Sequence, residues 1–329
     1  MAPIEHKNAA QNFYRDGVLI MGYLHLQYND SLFDIFHRHA AASLMFLSAL
    51  GFALMATCVK LVSSLGIPVL EIVAARSLVS IFLSYFDIKR KGISIWGYQK
   101  ALLIARGFVG ACTLISVYYA VSTLPLAEST ILQYLHPLFT ALLAFCFLKE
   151  KIHYSTIICI ILSLTGLIIM INPKVFTEGF AVINYTILPP WSVAAGLLGA
   201  LGSGVAYALV RKLSQTEDSS VIIFYFPLIA LPISLFLLGK DFVVPNFEAM
   251  MLLLFVGIFT QIGQIGLTKA MQYEQASTAT AYSYVQVIFA VILGWVVFAE
   301  IPSAYTIIGG SLILLGTIAN IVLKRIKTE

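Results

Sequence analysis

Residues 118 to 150 read YYAVSTLPLAESTILQYLHPLFTALLAFCFLKE, and residues 268 to 300 read TKAMQYEQASTATAYSYVQVIFAVILGWVVFAE. The two stretches align with a shift of 150 residues, and the alignment continues to Met170 in one and Asn320 in the other. Identical matched pairs include Ala120 and Ala270, Thr130 and Thr280, Tyr134 and Tyr284, Phe139 and Phe289, Glu150 and Glu300, Ile157 and Ile307, and Gly166 and Gly316. A repeat inside an almost wholly apolar chain is typical of a membrane transporter built from two halves, with its binding site between them.

The composition excludes a water-soluble globular protein. Hydrophobic residues make up 60% of the 329 residues and charged residues only 11%, and the mean hydropathy is +0.91. A soluble fold would have too few polar residues to cover its surface. A helix that crosses a hydrocarbon core of about 30 Å needs about 20 apolar residues, and it satisfies its own backbone hydrogen bonds there.

Ten apolar windows are long enough to cross a membrane as helices. The predicted spans are 41–62, 67–87, 99–122, 126–148, 153–172, 191–212, 220–239, 248–271, 276–298 and 303–323. Prolines at 68, 125, 190, 245 and 302 fall near the first turn of a span, where the missing N–H costs nothing. Because the windows are continuous rather than alternating, they favour an all-α bundle over a membrane β-barrel.

The distribution of Lys and Arg predicts the orientation, since basic residues concentrate on the cytoplasmic side. With ten helices and a cytoplasmic amino terminus, the residues on the cytoplasmic side are Lys7, Arg15, Arg38, Lys89, Arg90, Lys91, Lys149, Lys151, Arg211, Lys212, Lys269, Lys324, Arg325 and Lys327. Those near the outside are Lys60, Lys174 and Lys240. Five helices in each half place the second repeat upside down relative to the first. We therefore expect an inverted repeat, with both termini cytoplasmic at the cell inner (plasma) membrane.

The domain organisation follows from these spans. The predicted parts are a cytoplasmic tail at 1–39, a first repeat at 40–172, an external connection at 173–189, a second repeat at 190–323 and a cytoplasmic carboxyl terminus at 324–329. The tail has an apolar stretch, 17–26, that is too short to span. It has two interpretations, an amphipathic helix on the membrane surface through residues 32–36 or a start codon placed too early.

Charge, cysteines and motifs exclude several other classes. The net charge of +4 is spread over cytoplasmic connections, so no nucleic-acid partner is expected. The four cysteines lie inside predicted spans without metal-ligand spacing, so neither zinc nor disulfides are expected. The sequence has no phosphate-binding loop, metalloprotease motif or nucleophile elbow, so we predict no catalytic residues, no cofactor and no enzyme. Transport would then follow a gradient of the substrate or of a coupled ion.

His136 is the first candidate for substrate binding. It lies about 12 Å inside span 4, close to the bilayer centre, beside Pro137, which frees a backbone carbonyl and permits a kink. Intramembrane ionisable residues mark functional sites by default. The alternative is a neutral imidazole that hydrogen-bonds a neighbouring helix.

Polar residues near His136 and its counterpart complete the candidate site in spans 4 and 9. These are Gln133, Tyr134, Tyr284 and Gln286. A tyrosine offers an aromatic wall and a hydroxyl, which suits a cargo with apolar and polar parts. The alternative is interhelical hydrogen bonding, worth about 0.6 to 2 kcal/mol per contact.

Two intramembrane arginines and further polar residues extend the candidate list. Arg76 is expected either to pair with Glu71 or to face the cavity and hold a carboxylate. Arg106 is expected to contribute to the site or to snorkel toward the cytoplasmic edge. The remaining candidates are Tyr118, Tyr119, Tyr207, Gln261 and Gln264.

A family resemblance rests on one run of residues in the first repeat and its partial copy in the second. The run comprises Arg106, Gly107, Gly110, residues 118–120, 124–130 and 137–142, Lys149 and Glu150; the copy comprises residues 279–281, Phe289, Gly294 and Glu300, with Val287 in place of Pro137. This pattern resembles the EamA family of the drug/metabolite transporter superfamily over about residues 41 to 323. The resemblance implies ten transmembrane helices as two inverted five-helix repeats, with spans 1, 3, 4, 6, 8 and 9 around a central cavity and spans 5 and 10 outside.

The sequence therefore predicts a secondary active transporter that works by alternating access. Its expected cargo is a small polar or amphipathic metabolite, such as an amino acid, a nucleotide-like compound like S-adenosylmethionine, or an organic anion. The alternatives are a multidrug or nucleotide-sugar type carrier and, from a different class, an integral-membrane enzyme or scaffold. Expected partners are the small-molecule substrate and the lipid bilayer, with protons and a second copy in a homodimer left open.

Overall fold

The computed structural model describes residues 40–123, 132–171, 189–299 and 301–326, and these residues form helices and connections without a strand. In chain order the helices are α1 (Ala40–Ser64), α2 (Val69–Lys91), α3 (Lys100–Thr123), α4 (His136–Leu148), α5 (Tyr154–Ile171), α6 (Pro190–Leu213), α7 (Ser219–Leu238), α8 (Phe247–Tyr273), α9 (Ala276–Phe298) and α10 (Ala304–Ile326). Helix α9 consists of two segments, Ala276–Tyr282 and Val285–Phe298.

Eight of these helices are long and apolar enough to cross a membrane, namely all except α4 and α5. The described parts of α4 and α5 are apolar but shorter. Large hydrophobic side chains such as Phe147, Trp191 and Phe236 are exposed on the bundle surface, where only lipid would cover them favourably. The chain is an integral multi-pass membrane protein.

Local sequence explains where several helices begin and end. Pro68 precedes α2, and Gly92 ends that helix with a left-handed φ of 66°. Asp218 caps α7 by accepting a hydrogen bond from the Ser220 amide, and Asn246 caps α8 in the same way through the Ala249 amide. Pro190 begins α6, as its predicted place in the first turn requires.

Some predicted features lie outside the described residues. They are the tail at 1–39, the start of span 4 at 126–131, the connection at 173–188, the end of the carboxyl terminus at 327–329 and Glu300.

The helices pack in pairs that respect the repeat. Helices α5 and α10 pack mainly against each other, and so do α2 and α7, which occupy matching places in the two halves. The contact of α3 with α7 has its counterpart in the contact of α2 with α8. Likewise, α3 packs on α6, and α1 packs on α8 through a 2.7 Å hydrogen bond from the Ser48 hydroxyl to the Gly263 carbonyl. The two halves therefore contact each other along several pairs of helices.

Glycines on α6 allow close approach to α3. A Cβ at Gly199 would lie 2.7 Å from Val117, and a Cβ at Gly202 would lie 2.2 Å from the Thr113 hydroxyl. Both distances are shorter than any real Cβ contact, so a side chain would push the two helices apart. These glycines therefore serve close helix packing.

Candidate substrate-binding site

Both repeats interrupt the same helix near the middle of the bundle. A turn at residues 134–135 precedes α4, and a turn at residues 283–284 separates the two segments of α9. Pro137 in the first turn of α4 explains the first break, as the sequence predicts. Helix breaks at membrane depth are tolerated where the freed backbone faces protein or a cavity, and they are typical of transporter binding sites.

The second break has no proline, and the sequence analysis missed it. Two hydroxyls there bond back to the helix: Thr280 donates to the Ala276 carbonyl at 2.8 Å, and Ser283 donates to the Thr280 carbonyl at 2.6 Å. Such back-bonding competes with the regular helix pattern. The available signal was the sequence STATAYS at residues 277–283, in which four of seven residues are Ser or Thr.

The two breaks contact each other across the repeat interface. The Tyr284 hydroxyl donates a hydrogen bond of 3.1 Å to the Tyr134 backbone carbonyl, and the two rings stack with centroids 6.1 Å apart. Tyr284 is fully buried. Its hydroxyl therefore satisfies a carbonyl at the break of the other half.

His136 lies directly beside this contact. Its ring packs edge-on against Tyr207 of α6, with centroids 5.2 Å apart, and lies 6.3 Å from the Tyr134 ring. The side chain is 9% exposed, and its Nδ1 atom is buried with no hydrogen-bond partner in the structure. A buried imidazole nitrogen without a partner is available to a ligand, and the hydrogen bond to a neighbouring helix that formed the alternative is not present at this atom.

Arg106 and Arg76 both approach the ring of Phe226 on α7. Their guanidinium carbons lie 5.1 Å and 5.5 Å from the Phe226 centroid. Arg106 is only 4% exposed and interacts electrostatically with Tyr207 and Arg76. A central arginine costs about 2.5 to 3.5 kcal/mol on insertion scales unless it is paired or hydrated.

Neither arginine follows the alternative expected from sequence. Glu71 accepts a hydrogen bond of 3.0 Å from the Val243 amide instead of pairing with Arg76. Arg76 donates weakly to the Met55 sulfur at 3.9 Å. The Arg106 guanidinium lies against Gly110, one turn farther from the start of α3, so it points into the bundle and does not snorkel.

The structure thus brings six predicted residues into one connected group, which we call the central cluster. Its members are Arg76, Arg106, Tyr134, His136, Tyr207 and Tyr284, and Phe226 is a further member that the sequence analysis missed. In the first half these residues lie on α2, on α3 and at the start of α4 with the turn before it. In the second half they lie on α6, on α7 and in the turn within α9.

The other predicted residues lie elsewhere or at its margin. Gln261 is buried between α8 and α2, where its amide donates to the Ser84 hydroxyl at 2.8 Å. Gln133 and Tyr119 are exposed, and Gln264 and Gln286 are half-buried. The side chain of Tyr118 lies outside the described residues.

A small pocket between α2, α3 and α7 is a poorer candidate for binding a polar metabolite. It is lined by residues such as Leu70, Ala111 and Ile233 and exposes only apolar surface. Such a lining has nothing to orient polar groups. As for metals, no group of three His, Cys, Asp or Glu side chains is placed to hold an ion in the described ranges.

One end of the bundle is tied together by a polar cluster that we call the Glu150 clasp. The Glu150 carboxylate pairs with Arg211 of α6 at 2.8 Å and accepts a hydrogen bond of 2.9 Å from the Ala276 amide at the start of α9. Arg211 and Ser214 both donate to the Met271 carbonyl near the end of α8. The clasp therefore joins the α4–α5 connection to α6, α8 and α9.

Burial at matched positions differs between the repeats. Residues 282–285 of the second repeat are buried except for half-buried Ser283, whereas residues 132–135 of the first are half-buried and, at Gln133, exposed. The segment Ala276–Tyr282 beside the clasp is buried throughout. The bundle is thus closely packed between the central cluster and the Glu150 clasp.

A second set of ionic contacts lies at the same end, between α2 and α7. Lys91 pairs with Asp87 and Asp218, each at 2.9 Å. Partial burial raises the pKa of Asp218, but hydrogen bonds from Lys91 and from the Ser220 amide and hydroxyl more than offset this, so its pKa lies below the ordinary value. Glu217 caps α3 by accepting from the Tyr98 and Gln99 amides at 2.6 and 2.5 Å.

Comparisons with known proteins agree with this architecture. The EamA-like transporter family model matches residues 39–172 and again residues 190–322. The pseudopaline exporter CntI of Pseudomonas aeruginosa is 31% identical over 274 residues, which cover 83% of this chain and 93% of that protein. Mouse solute carrier family 35 member G1 is 27% identical over 292 residues, covering 85% of this chain and 77% of that protein.

A crystal structure of 16% sequence identity superposes with a TM-score of 0.75, covering 88% of this chain and 99% of the other, which shows a shared fold. The resemblance predicted from the first repeat is confirmed, and these relatives are transporters rather than enzymes. With two family domains arranged around one central cluster, the chain belongs to the EamA-like transporter family.

Proposed function

We propose that this protein is a secondary transporter that moves a small polar or amphipathic metabolite through the central cluster by alternating access. The observation that carries the proposal is the meeting of the two helix breaks, where Tyr284 bonds the Tyr134 carbonyl beside unpartnered His136. Substrate sites between repeats are typically formed by such interrupted helices. In this proposal α4 and α5 also cross the membrane, which gives ten crossings.

We base the proposed orientation on the basic residues. Lys149, Lys151, Arg211 and Lys212 lie at or next to the Glu150 clasp, so we assign that end to the cytoplasm. The two five-helix repeats are then inverted, and both termini are cytoplasmic. His136 begins the 13-residue helix α4, which places it about 18 Å from the clasp end of that helix and near the middle of the bilayer.

The residues of the central cluster have separate roles in this proposal. His136 and the Tyr207 hydroxyl offer polar contacts to the cargo, and the rings of Tyr134 and Tyr207 form apolar walls. Tyr284 positions the Tyr134 backbone. The Glu150 clasp closes the cytoplasmic side, and its opening, coupled to closure near residues 132–135, exposes the cluster to the cytoplasm.

The name of one relative supports a direction of transport, and the charges of the central cluster support one class of cargo over another. One relative is named as an exporter of pseudopaline, and export of a metabolite is the direction we propose. The competing function is a multidrug carrier. A cationic drug would favour an intramembrane carboxylate, but within the described residues the cluster holds two arginines and no acidic side chain contacts it.

Cysteine accessibility tests the alternating-access route. In a background without the four native cysteines, a single cysteine at Gln133 should react with a membrane-impermeant thiol reagent added outside, and one at Ala279 should react only from the cytoplasmic side and only when the clasp opens. Ile161, exposed on the outer face of α5, provides the lipid-facing control. If neither test position ever reacts from either side, no aqueous route reaches the cluster and the proposal is wrong.

A matched transport assay tests the site itself. Two cell lines are compared, one that produces the wild-type protein and one that produces the same amount of His136→Ala in its membranes. The ratio of extracellular to intracellular concentration of the transported metabolite should differ between them. Because His136 Nδ1 has no protein partner, its loss removes no internal hydrogen bond at that atom, and the variant should still insert and fold. Transport by His136→Ala at the wild-type rate would remove the histidine from the mechanism.

A further inference from the structure

Two cations, buried Arg106 and half-buried Arg76, approach one aromatic ring in the interior of this protein. Arg76 of α2 and Arg106 of α3 approach the Phe226 ring of α7 at 5.5 Å and 5.1 Å. Guanidinium groups interact favourably with aromatic rings when they lie within about 6 Å of the ring centroid. Contact with the ring uses no N–H group of either guanidinium, and among the described residues the one donor contact of Arg76 is the weak one to the Met55 sulfur at 3.9 Å, so donors remain that can face a ligand.

Within the part of the chain that the structure describes, no ion pair neutralises either charge. In residues 40–123, 132–171, 189–299 and 301–326, the ion pairs of arginine are those of Arg90 and Arg211, and none involves Arg76 or Arg106. The Nε atom of Arg106 is buried without a hydrogen-bond partner. Glu71, the nearest carboxylate in sequence to Arg76, accepts from the Val243 amide instead.

The arginine pair is too deep to serve as an anchor for lipid headgroups. Arg106 is six residues beyond Lys100, the first residue of α3, and Arg76 is seven residues beyond Val69, the first residue of α2. At 1.5 Å per residue these positions lie about 9 and 10.5 Å inside the N-terminal ends of their helices. An anion that reaches them must therefore enter the bundle as a solute.

The surroundings suit an oxyanion. Gly110 leaves room for the Arg106 guanidinium, since a Cβ there would lie 2.6 Å from its Nη1 atom. Tyr207 lies within electrostatic range of Arg106 and contacts His136, so the arginine pair is continuous with the rest of the central cluster. Arginine donors match carboxylate and phosphate geometry, often in pairs of parallel hydrogen bonds.

We propose that Arg76, Arg106 and Phe226 form an anion subsite that binds the carboxylate or phosphate group of the cargo. The inference rests on the proposed transport function and assigns its substrate class: the transported metabolite carries at least one oxyanion. The ligand supplies the negative charge that the protein lacks here. His136 and the tyrosines then contact the remainder of the molecule.

A carboxylate built into the protein tests the subsite without knowledge of the cargo. Met55 contacts Arg76 through its sulfur atom, so Met55→Glu would place a carboxylate where the cargo anion binds, and Met55→Gln is the neutral control of the same size. In purified protein at low chloride, Met55→Glu should melt higher than Met55→Gln by about 3 °C or more. An equal or lower melting temperature for Met55→Glu would overturn the proposal.

Added anions provide the second measurement. Succinate and succinamide differ in charge but little in shape, and inorganic phosphate distinguishes a phosphate subsite from a carboxylate subsite. At least one of the two anions should raise the wild-type melting temperature, whereas succinamide should not. The shift should disappear in Arg76→Gln, in Arg106→Gln and in Met55→Glu, and it should remain in Arg90→Gln, whose arginine is exposed at the end of α2.

The outcomes separate this inference from the proposed function. If succinamide stabilises the protein as much as succinate, or if neither succinate nor phosphate stabilises it, the anion subsite is wrong. Labelling of cysteines at 133 and 279 from opposite sides would still support alternating access in that case. Conversely, the melting temperature could rise with the anions alone while cysteines at 133 and 279 never react with an aqueous reagent. That result would support the subsite and overturn the transport route.

Discussion

Tyr284 and Tyr134 occupy the same position in the two repeats, and the hydroxyl of the first bonds the backbone carbonyl of the second at 3.1 Å. Among the described residues the Tyr134 hydroxyl makes no matching bond to the Tyr284 carbonyl, and the two side chains also differ in burial, since Tyr284 is fully buried and Tyr134 is half-buried. Two sequence-equivalent residues therefore have different roles in one conformation. Alternating access between two repeats requires such an inequality, since exchanging the roles of the halves changes which side is open.

Tyr284→Phe should weaken this junction without unfolding the protein. The substitution keeps the stacked ring and removes the hydroxyl, which leaves the Tyr134 carbonyl at the break with one donor fewer. Interhelical hydrogen bonds in membranes contribute about 0.6 to 2 kcal/mol, so we expect a small drop in melting temperature and a clear loss of transport.

The control for this variant is Tyr305→Phe, because Tyr305 is 43% exposed near the start of α10. It should leave both melting and transport unchanged. If Tyr284→Phe transports as fast as Tyr305→Phe, the junction between the breaks is a packing contact only.

The sequence predicted the helices well because a membrane span depends on a sum over about 20 residues. Each predicted window that falls within the described residues overlaps a helix, and the bounds differ by a few residues. The break before His136 was also predictable, since Pro137 removes a backbone donor locally. Local chemistry of this kind can be identified from one sequence.

Features that depend on partners distant in sequence could not be predicted. Arg106 points inward because Gly110 leaves space on its own helix and Phe226 supplies a ring from α7, which is 120 positions later in the chain. The Glu150 clasp needs Arg211 and Ala276 from two other helices. The match of Glu150 with Glu300 could be identified from the sequence, but the contacts of Glu150 could not.

Gly110→Ala should disturb the central cluster through a single methyl group. The added Cβ would lie 2.6 Å from the Nη1 atom of Arg106 and 2.6 Å from the Phe226 ring. Arg106 must then move away from the ring, and transport should fall at least tenfold while the protein remains membrane-inserted. Transport by proteoliposomes or cells, normalised to protein level, measures the effect.

Gly310→Ala is the matched control, since a Cβ at that position on α10 meets nothing within 4 Å. Replacing a helical glycine with alanine in open space should leave the protein as stable or raise its stability by up to about 1 kcal/mol. Equal transport by the two alanine variants would show that the position of Arg106 does not matter.

Glu150→Gln should open the cytoplasmic end that we assign to the clasp. The Glu150 and Arg211 side chains are 10% and 18% exposed, and removing one partner of a largely buried ion pair costs about 3 kcal/mol. Because the ion pair is present in the closed state, its loss destabilises that state. The equilibrium should then shift toward the state that exposes the cluster to the cytoplasm.

Labelling of a cysteine at Ala279 measures this shift. Its rate with a cytoplasmic reagent should rise in Glu150→Gln, and the labelling of a cysteine at Gln133 from outside should fall. Glu248→Gln, at an exposed position in the first turn of α8, should change neither rate. A parallel rise at both positions would indicate general loosening instead of a gate.

Asp218 gives a stability that depends on pH. Its pKa in the folded protein lies below the ordinary value of 3.8, because hydrogen bonds from Lys91 and Ser220 outweigh partial burial. A carboxyl whose folded pKa is lowered stabilises the folded state above its unfolded pKa, and this stabilisation is lost as the pH falls through the folded pKa.

Asp218→Asn keeps an N-cap acceptor for the Ser220 amide and removes the charge that faces Lys91. Since the Asp218 side chain is 36% exposed, solvent screens the ion pair and the expected loss at pH 7 is about 0.2 to 1 kcal/mol. The difference in melting temperature between wild type and Asp218→Asn should therefore be present at pH 7 and shrink below about pH 4. Asp241→Asn, in the exposed connection after α7, should show no such difference, and a gap for Asp218→Asn that persists at pH 3 would mean that the asparagine disturbs the cap rather than the ion pair.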